Sequence, residues 1–172
     1  MIRKVLLMGD PLLSRKVEKV TSFGTEELLE LIIDLRDTQR KHQTLGLSAP
    51  QVGITQQVMV IGTPESEADP SSRDYIPRIT IINPSVELLT RSSCEFVEKC
   101  LCIPHMTANV PRFTQIRYFG IDEYGNPLQK EAFGRHAQIV QHHADHVFRT
   151  LYTMRIRDFT KFGFDEEFRN QV

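Results

Sequence analysis

The residues best suited to chemistry lie in one short segment near the C-terminal end, Gln141-His142-His143-Ala144-Asp145-His146. His142 and His146 are four positions apart, so on a helix their imidazoles project from the same face, one turn apart. Two imidazoles in that arrangement can bind one divalent metal ion. The competing interpretation is a solvated, histidine-rich helix face, which is the better one for a pair that has no further ligand.

Three cysteines form a second group of chemical interest. Cys94, Cys100 and Cys102 all lie within nine positions of the sequence. An odd number of clustered cysteines is a poor basis for disulfide bonds. It indicates a reducing compartment or metal chemistry.

A third segment, residues 44–53, consists mainly of small residues and contains Gly46, Pro50 and Gly53. A glycine-flanked segment interrupted by proline is typical of a tight loop in which the backbone comes close to another group. A plain connector between two elements is the competing interpretation.

Composition limits the classes of protein that need to be considered. The 172 residues suit one domain with a single core, spanning residues 1–172, and 40% hydrophobic with 25% charged residues is typical of a soluble globular protein. A net charge of −1 gives no electrostatic reason to expect nucleic acid or an anionic membrane as a partner. The basic and apolar start ends at Gly9-Asp10-Pro11, too early for a signal peptide, and no apolar run approaches the roughly 20 residues that span a bilayer. We therefore expect a cytoplasmic protein.

The elements that would position these groups follow from the pattern along the chain. Thr25 can cap a helix that runs to about His42 with one apolar face. Residues 64–73 are polar and proline-flanked, which indicates a surface excursion, and a second helix over residues 132–154 would carry the histidine pair. Strands are predicted at residues 58–62, 79–82, 86–89, 96–104 with a turn at Pro104, and 116–121 with a hairpin turn over 123–127. This order predicts an α+β fold with a mostly antiparallel sheet.

Gly46-Leu47-Ser48-Ala49-Pro50-Gln51, Glu98-Lys99-Cys100-Leu101-Cys102 and the histidine segment follow one another in this order. Together they resemble the three motifs of the peptide deformylases, G-x-G-L-A-A-P-Q, E-G-C-L-S and Q-H-E-x-D-H. The likeness extends through nearly the whole chain, including Asp10-Pro11, Ile82-Asn83-Pro84 and Val110-Pro111-Arg112. The resemblance implies mostly antiparallel sheets packed around a long metal-binding helix.

The resemblance also implies an activity, namely a metal-dependent hydrolase that removes the formyl group from N-formylmethionyl peptides of newly made proteins. It assigns Cys100, His142 and His146 as ligands of one divalent metal ion. Three protein ligands leave the open position for water that a catalytic metal needs. Family members commonly use Fe(II), and Zn(II) suits the same ligands. The implied partners are the formylated peptide and nascent chains on the ribosome.

Further roles follow from the resemblance for residues around the metal. Gln51 and the backbone N–H of Leu101 would stabilise the developing oxyanion. Glu98 would pair with Arg112 and brace the cysteine strand, and Gly46 would let the backbone pass close to the substrate. The substrate-binding residues implied in this way are Gly46, Leu45, Ile139 and Arg135.

Two cysteines remain to be placed. Cys102 is two positions after Cys100, where the family usually has serine, and on an extended strand it would share the face of Cys100. It is therefore an alternative metal ligand or an oxidation partner. Cys94 is expected to be a buried structural thiol.

The chain departs from the family pattern at further motif positions besides Cys102. His143 replaces the glutamate that would act as the general base and so takes the catalytic position of that residue. Lys99 replaces a glycine beside the metal cysteine, and Thr44 replaces the first glycine of the first motif.

The resemblance also implies a pocket for the methionine side chain of the substrate, lined by largely apolar side chains on the helix face of His142. Arg135 and Gln138 share that face with His142 and would make the pocket more polar.

Three functions are compatible with these departures. The first is a deformylase, whose metal can acidify its water without help. The second is a deformylase-like protein that keeps fold and metal without activity, and the third is a related hydrolase with a different N-acyl or side-chain preference.

Overall fold

The computed structural model describes residues 1–64, 69–72 and 74–169. The helices in this part of the chain are α1 (Glu26–Lys41), α2 (Gly134–Val147) and the short α3 (Asp165–Arg169). The strands are β1 (Gly46–Ser48), β2 (Val58–Ile61), β3 (Ile79–Leu88), β4 (Ser93–Cys100), β5 (Ile103–Phe113), β6 (Gln115–Ile121), β7 (Pro127–Phe133) and β8 (Phe162–Phe164). Across the described residues, none of the helices has both the length and the apolar character needed to cross a bilayer. The polar excursion predicted for residues 64–73 lies partly outside the described residues.

The strands form two antiparallel sheets. One sheet has five strands in the order β1-β2-β3-β6-β7, and the other has three in the order β4-β5-β8. Every neighbouring pair in both sheets is antiparallel. Helix α2 contacts strands of both sheets, so the histidine segment lies where the two sheets meet. The predicted α+β class, with mostly antiparallel sheets around the histidine helix, is confirmed.

Helix α1 follows its prediction to within one residue. The Thr25 side chain accepts a hydrogen bond from the Leu28 N–H at 3.3 Å and so caps the first turn. The buried face of the helix packs with residues of β1 and β2; this cluster includes Leu28, Leu31, Ile32, Leu35, Leu47, Val58 and Val60. Helix α1 thereby supports the end of the sheet that carries the first motif.

Helix α2 is shorter than predicted. It begins at Gly134, whose φ of +51° is a left-handed value that glycine adopts readily, and the residues just before it belong to β7. It ends at Val147, and the left-handed φ of +62° at Arg149 then turns the chain away from the helix. The prediction of one helix over residues 132–154 is therefore wrong at both ends.

Two predicted irregular segments have a different structure. Residues 44–53 contain β1, which pairs with β2, followed by the 3₁₀ helix Ala49–Val52. The turn predicted at Pro104 is also wrong, because Pro104 is the second residue of β5 and Cys100 pairs with Ile103 across a turn that comes earlier. Proline is tolerated close to the beginning of a strand because few ladder hydrogen bonds are lost there.

Candidate active site

Cys100 and His146 come together where the end of β4 meets α2, and His142 lies one helical turn before His146. The Cys100 Sγ lies 3.3 Å from His146 Nε2, and the ring centroids of the two histidines are 5.1 Å apart. All three side chains are buried. Two ligands of one tetrahedral ion, at about 2.3 Å for sulfur and 2.0–2.1 Å for nitrogen, lie roughly 3.5 Å apart. Cys100 and His146 therefore have a separation that suits a shared metal ion.

A buried carboxylate orients His142. Its Nδ1 lies 2.9 Å from Glu98 Oε2, and we assign the proton to Nδ1 because a carboxylate accepts hydrogen bonds. Nε2 then keeps its lone pair for a metal ion. A carboxylate in this position fixes the tautomer and ring orientation of a metal-binding histidine and raises its basicity.

Glu98 is held in turn by Arg112, as predicted. The guanidinium donates to both Glu98 oxygens, at 2.8 and 2.9 Å, and to Asp145 at 2.6 Å. Asp145 also accepts hydrogen bonds from Arg155. Burial acts to raise the pKa of Glu98, but the hydrogen bonds from Arg112 and His142 lower it to about 2. The carboxylate that orients His142 therefore stays ionised.

The other two cysteines have different surroundings. Cys102 is fully buried, and the ligand atoms of Cys100, Cys102 and His146 all lie within 4.8 Å of one another. Competition with the neighbouring Cys102 sulfur for negative charge, followed by burial, raises the pKa of Cys100 well above its usual value. A bound cation would favour the thiolate there. Cys94, predicted to be a buried structural thiol, is exposed. That prediction is wrong because the buried positions of β4 are Glu98 and Cys100, near its end.

Gln51 lies on the 3₁₀ helix after β1 and is almost completely buried. Its Oε1 accepts a hydrogen bond from the Ser48 N–H at 2.9 Å, and its Nε2 lies 3.7 Å from the Sγ of both Cys100 and Cys102. An amide N–H fixed in this way can stabilise negative charge that develops beside the thiols. Leu101 follows Cys100 in the turn after β4.

His143 packs against the first motif. A Cβ on Gly46 would lie 2.4 Å from His143 Cδ2 and 2.5 Å from its Nε2, so the imidazole leaves no room for any other residue. Ser48 Oγ donates to the His143 carbonyl at 2.9 Å and lies 3.5 Å from Nδ1. Burial, followed by the neighbouring His142 and His146, holds the pKa of His143 well below its usual range. The imidazole is therefore neutral at pH 7.

One cleft of about 840 Å³ is bordered by Gln51, Cys100, Leu101, His142 and His143. Of the predicted substrate-binding residues, Gly46, Ile139 and Arg135 line it, and about half of the Arg135 side chain is exposed. Gln138 lines it as well. Leu45 instead packs against the core between the five-stranded sheet and α2.

Sequence reasoning gave no role to Ser48, Asp145 or Arg155, although each fixes a neighbour in the site. A signal for Asp145 was present, because a residue three positions after His142 lies on nearly the same helix face. A carboxylate on that buried face needs a cationic partner. Arg155 gave no such signal, since it follows the end of α2 and reaches Asp145 only through the fold.

Comparison with known proteins places the chain in one group. Residues 2–162 match the family model described as Polypeptide deformylase. The chain is 41% identical to Peptide deformylase 2 of Ralstonia nicotianae, over 96% of this chain and 93% of the relative. It is 42% identical to Peptide deformylase 1 of Nitrosomonas europaea, over 96% of this chain and 94% of the relative.

Solved structures agree in fold. A Met-Ala-Ser-bound class I type b peptide deformylase from Acinetobacter baumannii gives a TM-score of 0.83 at 23% identity and covers 91% of this chain and 99% of its own. A peptide deformylase from Legionella pneumophila gives a TM-score of 0.80 at 28% identity, over 99% of this chain and 98% of its own.

Proposed function

This chain belongs to the polypeptide deformylase family, and we propose that it removes the formyl group from N-formylmethionyl peptides with a divalent metal held by Cys100, His142 and His146. The deformylases are metal-dependent hydrolases. Two observations support the ligand assignment. Cys100 and His146 are 3.3 Å apart, and the Glu98 carboxylate fixes the His142 tautomer that leaves Nε2 available.

One thiolate and two imidazoles suit Fe(II) and Zn(II) alike. We propose Fe(II), with Zn(II) as the alternative. When bound, such an ion supplies a Lewis acid and a water molecule whose pKa is lowered to about 7. Cys100 would hold the ion as a thiolate, with its proton released to solvent.

Gln51 and Leu101 would stabilise the charge on the formyl oxygen. That oxygen becomes negative as the formyl carbon turns tetrahedral, and Gln51 Nε2 lies beside the thiols, fixed through the Ser48 N–H. The backbone N–H of Leu101, in the turn after Cys100, would be the second donor. Preorganised donors are effective because they need no reorientation during the reaction.

His143 would move the proton. Ser48 Oγ lies next to Nδ1, so Nε2 is the nitrogen left to accept a proton and pass it to the leaving amine. Ile139 and Arg135, on the part of α2 that lines the cleft, would contact the side chain of the formylated residue. Because the formyl group marks the start of newly made chains, nascent chains at the ribosome in the cytoplasm are the substrates we propose.

Release of formate from a formyl-methionyl dipeptide tests this function, with Fe(II) loaded under anaerobic conditions. We expect many moles of formate per mole of protein. Cys100→Ala should lose most of its metal and its activity together. Cys94→Ala, at an exposed thiol on the same strand, should keep both. Unchanged metal content in Cys100→Ala, or formate release by metal-free protein, contradicts the assignment.

Two other functions each rest on a specific observation. His143 is a buried neutral imidazole with a lowered pKa, so it is a weak base. This favours a deformylase-like protein that binds one metal ion and releases no formate. Arg135 and Gln138 in the cleft favour a hydrolase with a different N-acyl or side-chain preference. A panel of acylated peptides separates these two, because only the second of them would yield product.

A further inference from the structure

Cys102 lies at the metal centre and has no part in the proposed function. Its Sγ lies within 4.8 Å of the ligand atoms of both Cys100 and His146. The Gln51 amide nitrogen is 3.7 Å from this sulfur, and the Cys102 N–H donates to Cys100 Sγ at 3.4 Å. The turn after β4 therefore places two thiols beside the Gln51 amide and the His146 imidazole.

A buried cysteine often serves as a small apolar side chain. One side of Cys102 fits that description, because it packs in a cluster that includes Leu13 and Ile156. The sulfur, however, is close to an amide donor, a second thiol and an imidazole nitrogen. The sulfur therefore lies among groups that can share one metal ion, an arrangement that an apolar side chain does not require.

We propose that Cys102 is a fourth protein ligand of this metal ion and competes with water for the remaining position. The inference rests on the proposed function, because it concerns the same ion. Four protein ligands make the closed arrangement of structural metal sites, whereas catalytic sites have three and leave one position for water. Occupancy by Cys102 would thus determine which fraction of the protein is ready to react.

Charge balance supports a second thiolate. The Glu98 and Asp145 carboxylates are already paired with Arg112 and Arg155. A divalent ion with the single thiolate of Cys100 would leave one uncompensated positive charge in a buried site. Binding of Cys102, whose thiol proton passes to solvent, would remove that charge, and buried charge is costly when it is not compensated.

Cobalt(II) in place of the native metal makes the thiolates countable. Thiolate-to-cobalt charge-transfer absorption in the near ultraviolet increases with the number of bound thiolates, and the visible bands report a tetrahedral site. We expect two thiolates in the parent protein and one in Cys102→Ser, so the near-ultraviolet absorption per bound cobalt should fall to about half. Cys94→Ser is the matched control, and its spectrum should equal that of the parent.

Several outcomes decide the proposal. Equal absorption per cobalt in the parent and in Cys102→Ser overturns it, and so does a parent spectrum with no thiolate band. Cys102→Ala gives a second comparison that does not depend on how serine is accommodated in the buried position. Slower loss of cobalt to a chelator from the parent than from both variants would support it.

Formate release by the same preparations separates this proposal from the proposed function. If Cys102 fills the position in nine molecules of ten, Cys102→Ser should turn over about tenfold faster, because the competent fraction rises from a tenth to nearly all. Halved absorption with no formate from either protein supports Cys102 as a ligand and removes the hydrolase function. Equal absorption with formate from both removes Cys102 as a ligand and keeps the hydrolase.

Discussion

The side of the metal centre that holds Glu98, Arg112 and Asp145 differs in its electrostatics from the side on which His143 packs against β1. On the first side, the buried carboxylates of Glu98 and Asp145 share the guanidinium of Arg112. On the second side, the polar groups are neutral. The Ser48 hydroxyl donates to the His143 carbonyl and lies 3.5 Å from His143 Nδ1. In the proposed reaction, the first side would orient the metal ligand His142, and the second side would hold the group that moves the proton, His143.

This difference determines which substitutions each side can accept. Removal of one charge from a buried ionic network leaves another charge without a partner, which costs roughly 3–5 kcal/mol. A neutral side has no such constraint, so it can hold an imidazole where the family has a carboxylate, provided that there is room for the ring. Gly46 provides that room, since any Cβ there would overlap with the ring of His143.

The largest effect is expected when charge is restored to the neutral side. His143→Glu should raise kcat by roughly 10²–10⁴, the usual value of positioned proton transfer. A glutamate is anionic and is attracted to the metal ion. Proton uptake by the imidazole is opposed by burial and by the neighbouring histidines, which lower its pKa. Formate release at equal metal loading measures the change.

The matched control is the same substitution elsewhere on α2. His136 lies beside Tyr118, at 3.3 Å from its hydroxyl, and His136→Glu should leave turnover as it was. If His143→Glu binds metal as the parent does and turns over no faster, the base does not limit the reaction and the contrast between the two sides loses its functional meaning.

A large effect on stability is expected on the charged side. Arg112→Met should lower the free energy of unfolding by roughly 3–5 kcal/mol, because Glu98 and Asp145 would stay buried without their cation. Denaturant unfolding of the metal-free protein measures this loss. Arg117→Met is the control: Arg117 pairs with Glu87 and Glu131 at partly exposed positions, so its loss should be much smaller. Similar losses in the two variants would contradict the view that burial gives the network its importance.

Gln51→Ala should reduce kcat by about 10²–10³, the cost of one lost oxyanion donor. Metal content and fold should change little, because the main-chain pairing of β1 with β2 does not involve this side chain. Gln57→Ala, which affects a long contact with the Val17 carbonyl, should retain full activity. Full turnover in Gln51→Ala would show that the 3₁₀ helix only connects two elements.

Much of the fold was predictable where the signal is local. The cap at Thr25 and the apolar face of α1 are encoded within that helix, so its limits were predicted to within one residue. The end of α2 depends on a left-handed backbone at Arg149, and arginine gives no sign of that conformation. Strand β1 is three residues long and exists through pairing with β2, which residues 44–53 cannot reveal alone.

The site was predictable to a similar degree and for similar reasons. The spacing of His142 and His146 is a local property of a helix, and their ring centroids lie 5.1 Å apart, as expected for side chains one turn apart. Cys94 was misplaced because burial along a strand depends on where that strand enters the core. The close approach of His143 to Gly46 links residues on different elements, and nothing in either motif indicates that distance.

The smallest effect is expected at Arg135, on the rim of the cleft. Arg135 is the second residue of α2, seven positions before His142, so it lies on the same face about 10 Å along the helix axis. Half of its side chain is exposed, and its distance to the Asp74 carboxylate is 4.0 Å. Solvent therefore screens most of its charge.

Arg135→Leu should lower KM for a formyl-methionyl peptide by a few-fold, roughly 2–5, with kcat unchanged. An apolar side chain there would add contact with the methionine side chain that is equal in the bound substrate and in the transition state, and such uniform binding alters KM alone. Arg157→Leu, at an exposed position outside the cleft, is the control and should leave both constants as they are. If kcat falls in Arg135→Leu, the Arg135 guanidinium acts on the reacting groups. The neutral side formed by His143 and Ser48 would then be assisted by a positive charge from the rim. If neither constant changes, the substrate side chain does not reach Arg135, and the polarity of the rim has no bearing on which formylated residue the cleft accepts.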